Sequence, residues 1–559
     1  MRSGNRDSRD LKRLFVDPVV NMCPVWFVFL LLAALKPESI AAVHENNTGL
    51  NFIAVFPENI AYYHPSHPQN QVQITALYDN TQVIIKQSSY DTSYLTLTAA
   101  EKRDIILGKK LEMRKQDISD RTLQITSTKI ITVHAISLKD NSVQTALVIP
   151  TDKLGTEYFI PPIPTIQGTT DSDMVTTSVT EKGPFRIIVV NADQDNKITV
   201  EGAMPSEVLL QPYQNTQILL NADAALRTVK TDQPAAVLFG HTCAMRHNCS
   251  CGMLYTLLPP AEKKKLNYFI PPVLAKDAEA ETFVLLSEGK STKVEAFNPK
   301  SPLVRTSGTA VLYRPGLLLT LIPETDFGSC YAVNFISNMI NRAVIIVHKD
   351  FIYGIHVQHL PLESPEWETL KGTEFVSTHI TLLSGKTIIW HSHSKMAVYF
   401  LGQKDSTLFG NPAAMISKTP DFRGCAVIPE VVQIGEEAAS WQESLKYCKD
   451  NNMELVSISE AKLQEQIKEK IMQANNDNLR EVWIGMRRSS LNGEWYWLNK
   501  DTVESTNWDE GEPGTVQDGQ CVSMSLETGK NFVWSDKDCC HAARPVCYSS
   551  PVLLPMYWS

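Results

Sequence analysis

The sequence lacks three features that mark common classes of protein. Its net charge of −9 over 559 residues is spread without a long acidic or basic block, which gives no case for nucleic acid or an anionic membrane as partner. It contains no G-x-S-x-G, no H-E-x-x-H and no phosphate-binding glycine loop. No segment after residue 42 is apolar enough to span a bilayer. We therefore expect a protein that is not an enzyme.

The first 42 residues have the order of a cleavable secretory signal. Basic residues between positions 2 and 13 precede the apolar run PVWFVFLLLAAL (24–35) and the small residues of SIAA (39–42). A membrane anchor is the alternative, but the run is shorter than the roughly 20 residues that a spanning helix needs. We predict a signal peptide at 1–42 and a secreted, extracellular protein. Two sequons, at Asn46 and Asn248, are then candidates for N-glycans.

Of the eleven cysteines, Cys23 lies in the predicted signal, which leaves ten in two even groups. The central group is Cys243, Cys249, Cys251 and Cys330, and the C-terminal group is Cys425, Cys448, Cys521, Cys539, Cys540 and Cys547. Because each group contains an even number of cysteines, we predict that each domain forms its own disulfides outside the cell. The segment HTCAMRHNCSC (241–251) could bind zinc, but its spacing matches no common zinc finger. We predict disulfides there, with Cys330 as one partner.

Residues 50–415 contain a repeat. The openings LNFIAVF (50–56), TEYFIPP (156–162), LNYFIPP (266–272) and TEFVSTH (373–379) recur about every 106 to 110 residues. Between them lie short runs rich in Val, Ile, Thr and Tyr that end in Asn, Asp, Gly or Pro, the pattern of strands joined by tight turns. We predict all-β modules of the β-sandwich type, with a propeller as the alternative. The fourth copy looks cut short.

A linker is predicted at 416–424, and the composition changes beyond it. Apolar residues at helical spacing predict one helix in EEAASWQESLKYCKDNN (436–452) and a second around 463–471. In the second, SISE (457–460) has the form of a capping box. VWIGMRR (482–488) and GEWYWL (493–498) predict strands. We therefore expect a separate α+β domain at 425–548 and a short tail at 549–559.

The β region resembles the N-terminal domain of the IgG Fc-binding protein family, which is found in mucus-associated proteins. The segments that carry the resemblance are AVLFGHTCAMRHNCSCGMLYTLLPP (236–260), YFIPPV (268–273) and SCYAVNF (329–335). The resemblance covers residues 50–415. It implies an extracellular adhesive or binding module.

Residues 425–548 resemble a C-type lectin domain. The matching motifs are WIG (483–485), GEWYW (493–497), NWDEGEPG (507–514), QCV (520–522), WSDKDC (534–539) and the final Cys547. The family framework implies the disulfides Cys448–Cys547 and Cys521–Cys539. Cys425 and Cys540 remain, and a disulfide between them is the simplest prediction, because the first and last strands are neighbours in this fold. An intermolecular bridge through Cys540 is the competing interpretation.

Sugar-binding members of that family hold calcium and the hydroxyls of a sugar through five side chains. These come from an acid-Pro-Asn triplet, an acid two residues before the third cysteine, and an Asn-Asp pair after a tryptophan. This sequence has Glu512-Pro513-Gly514, Gly519 and Ser535-Asp536 at those positions. Only Glu512 and Asp536 remain as calcium candidates, and calcium takes about six to eight oxygens. With only two ligands left we expect no cofactor. Calcium stays a possibility because Asp509, Glu510 and Asp518 are close enough in sequence to substitute for the missing ligands.

These observations predict a secreted recognition protein that binds protein or glycan ligands through a lectin-like domain with a degraded calcium site. The resemblances place it in mucosal or innate defence. A calcium-dependent carbohydrate-binding lectin and a structural mucus component are the alternatives. A protein-binding module predicts an apolar or basic patch near Arg487 and Arg488. Five tryptophans are expected to fill the core rather than to stack on sugar: Trp483, Trp495, Trp497, Trp508 and Trp534.

Overall fold

The structure is a computed structural model that describes most residues from 46 to 556. Outside the described residues lie 1–45, 62–64, 89–90, 114–117, 165–166, 170–175, 179–184, 203–205, 221–226, 246–250, 276–281, 315, 364, 384–386, 406, 460, 475–478, 504–505, 516, 528 and 557–559. The predicted signal peptide and the sequon at Asn248 are therefore outside them. Among the helices in the described ranges, none has the length and hydrophobicity needed to cross a membrane.

The first repeat (49–148) shows the strand arrangement of the β region. Its strands are β1 (Gly49–Ala54), β2 (Gln69–Ala76), β3 (Thr81–Ser88), β4 (Asp91–Leu97), β5 (Lys102–Ile106), β6 (Ile118–Ser119), β7 (Leu123–Lys139) and β8 (Ser142–Val148). The first half of β7 pairs with β1 and β3, and its second half pairs with β2 and β8. Both groups of strands contribute to one apolar core, which includes Ile74, Val83 and Val133. This arrangement follows the strand periodicity, because alternate residues of β2 face that core.

The second repeat (155–257) has the same pairing. Its strands are β9 (Gly155–Phe159), β10 (Gln167–Thr169), β11 (Thr176–Ser178), β12 (Phe185–Asn191), β13 (Asn196–Glu201), β14 (Ser206–Leu210), β15 (Asn215–Leu220), β16 (Thr228–Met245) and β17 (Cys251–Leu257). The long strand β16 takes the place of β7, pairing with β9 and β13 through its first half. Its second half pairs with β12 and β17.

The third repeat (266–320) is the short one. It contains β18 (Leu266–Phe269), helix α1 (Pro272–Ala275), β19 (Phe283–Ser287), β20 (Thr292–Ala296), β21 (Leu303–Thr306), β22 (Thr309–Arg314) and β23 (Leu317–Thr320). Here β21 and β22 replace the two halves of the long strand, pairing with β18 and β19 respectively. Among its described residues there is no counterpart of the β3–β4 pair.

The fourth repeat (330–412) is complete. It contains β24 (Cys330–Ala332), β25 (Ile340–His348), β26 (Ile355–Val357), β27 (Leu360–Pro361), β28 (Glu368–Thr369), β29 (Phe375–Thr381), β30 (Ile388–His391), β31 (Met396–Lys404) and β32 (Thr407–Pro412), and β33 (Ala414–Ser417) follows. β24 and β26 pair with β30, while β25 and β32 pair with β31. Its strands form two five-stranded sheets around one core, as a β-sandwich does.

A tyrosine marks where the later repeats begin. Tyr158 Oη donates to the Ala235 carbonyl at 2.6 Å, and Tyr331 Oη donates to the Met396 carbonyl at 2.7 Å. Tyr268 Oη likewise donates to the Gly308 carbonyl at 2.7 Å. Each bond reaches the point between the two halves of the long strand. Phe52 occupies this position in the first repeat, without a hydroxyl.

These pairings confirm the all-β modules and correct the repeat boundaries. The fourth copy begins at β24, not at 373–379, because β29 pairs with β25 as β5 pairs with β2. The copy that is cut short is the third. The similarity of TEFVSTH to TEYFIPP misled the sequence interpretation, since Phe375 belongs to β29, which pairs with β25 and not with the long strand.

The four repeats close into a ring. The last strand of each repeat contacts the last strand of the next, in the order β8, β17, β23, β32 and back to β8. Three seams bury apolar clusters shared by successive repeats. The fourth, which we call the closing seam, joins Ile136 and Val143 of the first repeat to Ile345 of the fourth. Gln73 also bonds both the N–H and the carbonyl of Phe335 across this seam.

The C-terminal domain (425–554) is an α+β unit. It contains β34 (Ala426–Ile428), β35 (Val431–Ile434), α2 (Trp441–Asp450), β36 (Glu454–Leu455), α3 (Ala461–Ala474), β37 (Glu481–Arg488), β38 (Trp495–Trp497), β39 (Cys521–Ser525), β40 (Trp534–Lys537), β41 (Arg544–Ser549) and β42 (Val552–Leu553). The main sheet has the order β35-β41-β37-β39-β40. α2 begins with a capping box in which the side chains of Ser440 and Glu443 each bond the other's backbone N–H.

Both ends of this domain meet at the ring. β34 pairs with β42, so the predicted tail at 549–559 takes part in the fold. The predicted linker at 416–424 also overlaps β33, which pairs with β24. Arg423 bonds Asp421 at 2.7 Å and Glu430 at 2.6 Å, and it contacts Tyr548 at 3.2 Å. The linker is therefore ion-paired to the domain, and the domain packs against the ring through an apolar cluster that includes Val427 and Leu554.

A disulfide joins Cys330 of the ring to Cys425. This contradicts two predictions: that Cys330 pairs within the central group and that Cys425 pairs with Cys540. Cys425 directly precedes β34 and is buried in one cluster with Cys330, Trp390 and Leu554, whereas Cys540 lies in an exposed turn after β40 and is unpaired. The two regions are therefore linked covalently and not oxidised separately.

Candidate functional site

The long loop between β38 and β39 is the place where the sequence puts the candidate calcium residues. The loop is anchored to the core by Trp508 and Trp534: Asp509 N donates to the Trp534 carbonyl at 2.9 Å, and Trp534 N donates to the Asn507 carbonyl at 2.7 Å. Trp483, Trp497 and Trp534 are fully buried, and Trp495 and Trp508 pack partly buried against the same core. The tryptophans therefore fill the core, as the sequence predicts.

Two disulfides fix this part of the domain. Cys448 is bonded to Cys547, which ties α2 to β41, and Cys521 is bonded to Cys539, which ties β39 to the turn after β40. These are the pairs that the family framework implies. The second of them fixes the start of β39, which is where the loop ends.

The structure brings Glu512 and Asp536 together. Asp536 is buried, and its Oδ2 has no hydrogen-bond partner among the described residues. Burial, followed by the nearby Asp536 carboxylate, raises the pKa of Glu512. The two carboxylates therefore repel each other when both are ionised. The peptide bond between Glu512 and Pro513 is cis.

Glycines stand at two of the family's ligand positions: at Gly519 the backbone leaves no room for a side chain, and at Gly514 the space is taken by the exposed Asp518 side chain. A Cβ on Gly519 would lie 2.5 Å from the Lys537 backbone nitrogen and 2.7 Å from its carbonyl oxygen. A Cβ on Gly514 would lie 2.7 Å from Asp518 Oδ2. Other atoms of the chain therefore occupy the space where sugar-binding members place an acid and an asparagine. Among the described residues, no group of three or more His, Cys, Asp or Glu side chains is arranged to hold a metal ion.

The acids that could substitute as ligands are engaged elsewhere. Asp518 Oδ2 accepts from Thr515 N at 2.6 Å and from Thr515 Oγ1 at 2.7 Å, and these bonds lower its pKa. Asp509 pairs with Lys530 at 3.2 Å and accepts from Glu510 N at 2.9 Å. Glu510 itself is exposed. Sequence proximity therefore does not bring these carboxylates to Glu512 and Asp536.

Two arginines beside the loop have roles that the sequence analysis did not assign. The Arg488 guanidinium lies 5.2 Å from the centre of the Trp495 ring, and its Nη1 donates to the Gly514 carbonyl at 3.3 Å. Arg487, on the opposite face of β37, lies 5.6 Å from the centre of the Trp441 ring. The sequence could have predicted these contacts. WIGMRR ends in two arginines and is followed by GEWYW, and a hairpin of the two segments places arginine opposite aromatic residues.

The other predicted modification sites lie in the ring. Cys243 is disulfide-bonded, Cys249 lies outside the described residues, and nothing is described of the Cys251 side chain. Asn46 is buried: its Nδ2 donates to the Ile416 carbonyl at 3.0 Å, and its Oδ1 accepts from Thr48 Oγ1 and Lys153 Nζ. A glycan on that nitrogen would require the bond to Ile416 to break.

Comparisons with known families and proteins divide the chain in the same way. Residues 144–316 match the model of the IgGFc binding protein family, and residues 437–549 match that of the lectin C-type domain. The human IgGFc-binding protein is 23% identical over 403 residues, which is 64% of this chain and 7% of that protein. The chain thus spans a small part of that relative.

The C-terminal domain has further relatives. The C-type lectin lectoxin-Phi2 of Philodryas olfersii is 29% identical over 110 residues, which is 19% of this chain and 69% of that protein. The solved structure of human lithostathine matches at 25% identity and a TM-score of 0.20, covering 22% of this chain and 92% of that chain. This chain therefore joins a segment that matches the IgGFc binding protein family to a segment that matches the lectin C-type domain.

Proposed function

We propose that this chain is a secreted, non-enzymatic recognition protein whose C-terminal domain binds a protein or glycan ligand without calcium. The observation that supports this most directly is the fit at Gly519, where the Lys537 backbone fills the space of an acidic side chain. Asp518 fills the space at Gly514 in the same way. Glu512 and Asp536 are then the two carboxylates at the family's positions. Two carboxylates are few for an ion that takes about six to eight oxygens.

The setting of the proposal is extracellular. Disulfides join Cys330 to Cys425, Cys448 to Cys547 and Cys521 to Cys539, and such bonds persist in oxidising compartments. The signal-like order of residues 1–42 supports the same location. Resemblance to a family found in mucus-associated proteins supports a role in mucosal or innate defence. The name of the human relative makes the Fc part of immunoglobulin G the first protein to test as a ligand.

Calorimetric titration of the full-length chain with calcium chloride tests the proposal. The full chain is needed because a fragment that starts near residue 420 would lose the Cys330–Cys425 bond. We expect no heat of calcium binding in the micromolar range. Binding to an array of glycans, or to purified Fc, should be retained in EDTA.

The control is a double variant, Glu512→Gln with Asp536→Asn, which removes both remaining carboxylates. It should bind the same probes as the parent chain. Micromolar calcium affinity that disappears in this variant, together with release from the array in EDTA, would instead establish a calcium-dependent lectin.

A further inference from the structure

The hairpin formed by β37 and β38 exposes two large apolar side chains, one of which is the most exposed large apolar side chain among the described residues of the C-terminal domain. Leu491, in the turn that joins the two strands, is 97% exposed, and Tyr496 on β38 is 41% exposed. Large apolar groups grouped in this way on a surface often mark a contact with another molecule. The hairpin therefore supplies two apolar anchors, one at its tip and one along its strand.

A guanidinium without a carboxylate partner lies on the same face as Tyr496. Arg487 is directly opposite Tyr496 in the β37–β38 register, so their side chains share one face. Arg487 Nε is shielded from solvent and has no hydrogen-bond partner, and no described carboxylate forms an ion pair with this side chain. The group is held over Trp441, whose Nε1 donates to the Ile484 carbonyl at 2.9 Å. This arginine is therefore fixed in place with donors available.

The charge on this face differs from that on the rest of the domain. Elsewhere, Lys470 pairs with Glu430 at 2.6 Å, Lys530 with Asp509 at 3.2 Å and His541 with Glu481 at 2.7 Å. Beside Arg487, by contrast, the register continues through Cys521 to Lys537, and Lys537 interacts electrostatically with the carboxylates of Glu512 and Asp509. Arg487 is therefore the cation of this face that is left for a partner's carboxylate, which an arginine binds with two parallel hydrogen bonds.

We propose that the β37–β38 hairpin is a docking surface for an acidic polypeptide segment, with Leu491 and Tyr496 as apolar anchors and Arg487 as the partner of a carboxylate. The inference rests on the proposed function and names the class of partner. Arginine and tyrosine contribute most to binding when they lie together beside apolar contacts. A sulfated polysaccharide would call for an extended row of cations, whereas this face combines one arginine without a carboxylate partner with two large apolar side chains.

Binding of defined polymers to the immobilised full-length chain, measured in EDTA, tests this proposal. The probes are a copolymer of glutamate and tyrosine, polyglutamate and heparin. The copolymer should bind more tightly than polyglutamate or heparin. Arg487→Gln should weaken its binding about tenfold, and Leu491→Ser should weaken it several-fold, because each removes one of the proposed contacts. Arg488→Gln is the matched control, since it makes the same change on the opposite face, and it should bind like the parent.

The outcomes separate the two proposals. Copolymer binding in EDTA that Arg487→Gln and Leu491→Ser leave unchanged, or absence of copolymer binding, overturns the hairpin as the docking surface while leaving calcium independence intact. Tighter binding of heparin with the same dependence on Arg487 overturns the polypeptide in favour of a sulfated glycan. Copolymer binding that requires calcium overturns the proposed function. If Arg487→Gln lowers the melting temperature, Leu491→Ser decides, because its side chain is almost fully exposed.

Discussion

The ring and the C-terminal domain bury polar groups in different ways. At the closing seam, Lys102 Nζ and His134 Nε2 are out of solvent contact and have no hydrogen-bond partner among the described residues. At the start of the C-terminal domain, the buried carboxylate of Glu430 instead bonds Arg423, Lys470 and Tyr548. The domain also has two internal disulfides. From this comparison we expect that protonation of buried groups at the closing seam destabilises the ring. We expect that reduction of the two internal disulfides destabilises the C-terminal domain.

The largest effect is expected from removing the Cys448–Cys547 bond, which closes a loop with a sequence separation of 99. The double variant Cys448→Ser, Cys547→Ser should lower the free energy of unfolding of the C-terminal domain by about 4–5 kcal/mol, because the unfolded chain regains that loop entropy. Denaturant unfolding followed by the fluorescence of Trp483, Trp497 and Trp534 measures it. Cys540→Ser, at an exposed and unpaired position, is the control and should unfold like the parent.

An intermediate effect is expected from acid at the closing seam. Burial, and then the nearby Lys102 ammonium, lower the pKa of His134 from 6.5 to about 3. A base with a lowered pKa stabilises the folded state fully above its unfolded pKa, so stability should be lost as pH falls from about 6.5 toward 3. By about pH 4 the loss should reach roughly 3–4 kcal/mol, since each pKa unit corresponds to about 1.4 kcal/mol.

Hydrogen exchange of β7 and β25 at several pH values measures the acid effect on the seam. His134→Leu should flatten the pH dependence, because it removes the titrating group. Lys102 also titrates at this seam, with a pKa lowered by burial to about 8, and Asp104 faces it. Loss of protection in the C-terminal domain before the seam opens would contradict the comparison.

The smallest effect concerns the tyrosines that mark the repeats. Tyr331→Phe removes the bond to the Met396 carbonyl and the bond from Gly328 N, so it should lower the free energy of unfolding of the ring by about 1–3 kcal/mol. Thermal unfolding of the ring measures this change. Tyr353→Phe, at a side chain that is 85% exposed, is the matched control. Equal effects of both variants would show that the hydroxyl of Tyr331 does not stabilise the repeat.

The sequence predicts local structure better than the pairing of distant segments. The strands of the first two repeats and the stripe of α2 follow from apolar periodicity, which acts over a few residues. At the start of α3, the predicted capping box of SISE includes Glu460, which lies outside the described residues, and among the described residues the Ser457 hydroxyl has no hydrogen-bond partner. A capping box that the sequence analysis did not predict precedes α2.

Ring closure and the Cys330–Cys425 bond depend on contacts between residues far apart in sequence. Counting cysteines by region cannot reveal that Cys425 lies beside β24. In the candidate site, the motif spacing correctly placed Glu512 near Asp536. The sequence does not show that a side chain is excluded at Gly519, because the Lys537 backbone that excludes it is distant in sequence. Gly519 in the sequence shows that an acidic calcium ligand is missing, but it does not show that the Lys537 backbone fills the space of that ligand.

The closing seam has a consequence for how the protein is made. Val143 emerges from the ribosome about 200 residues before Ile345, a delay of roughly 10–40 seconds at usual rates of synthesis. During that interval the apolar side chains of the first repeat at the closing seam, Ile136 and Val143, are exposed because the fourth repeat has not yet been synthesised. The nascent chain should therefore need chaperones most between completion of its first repeat and arrival of its fourth.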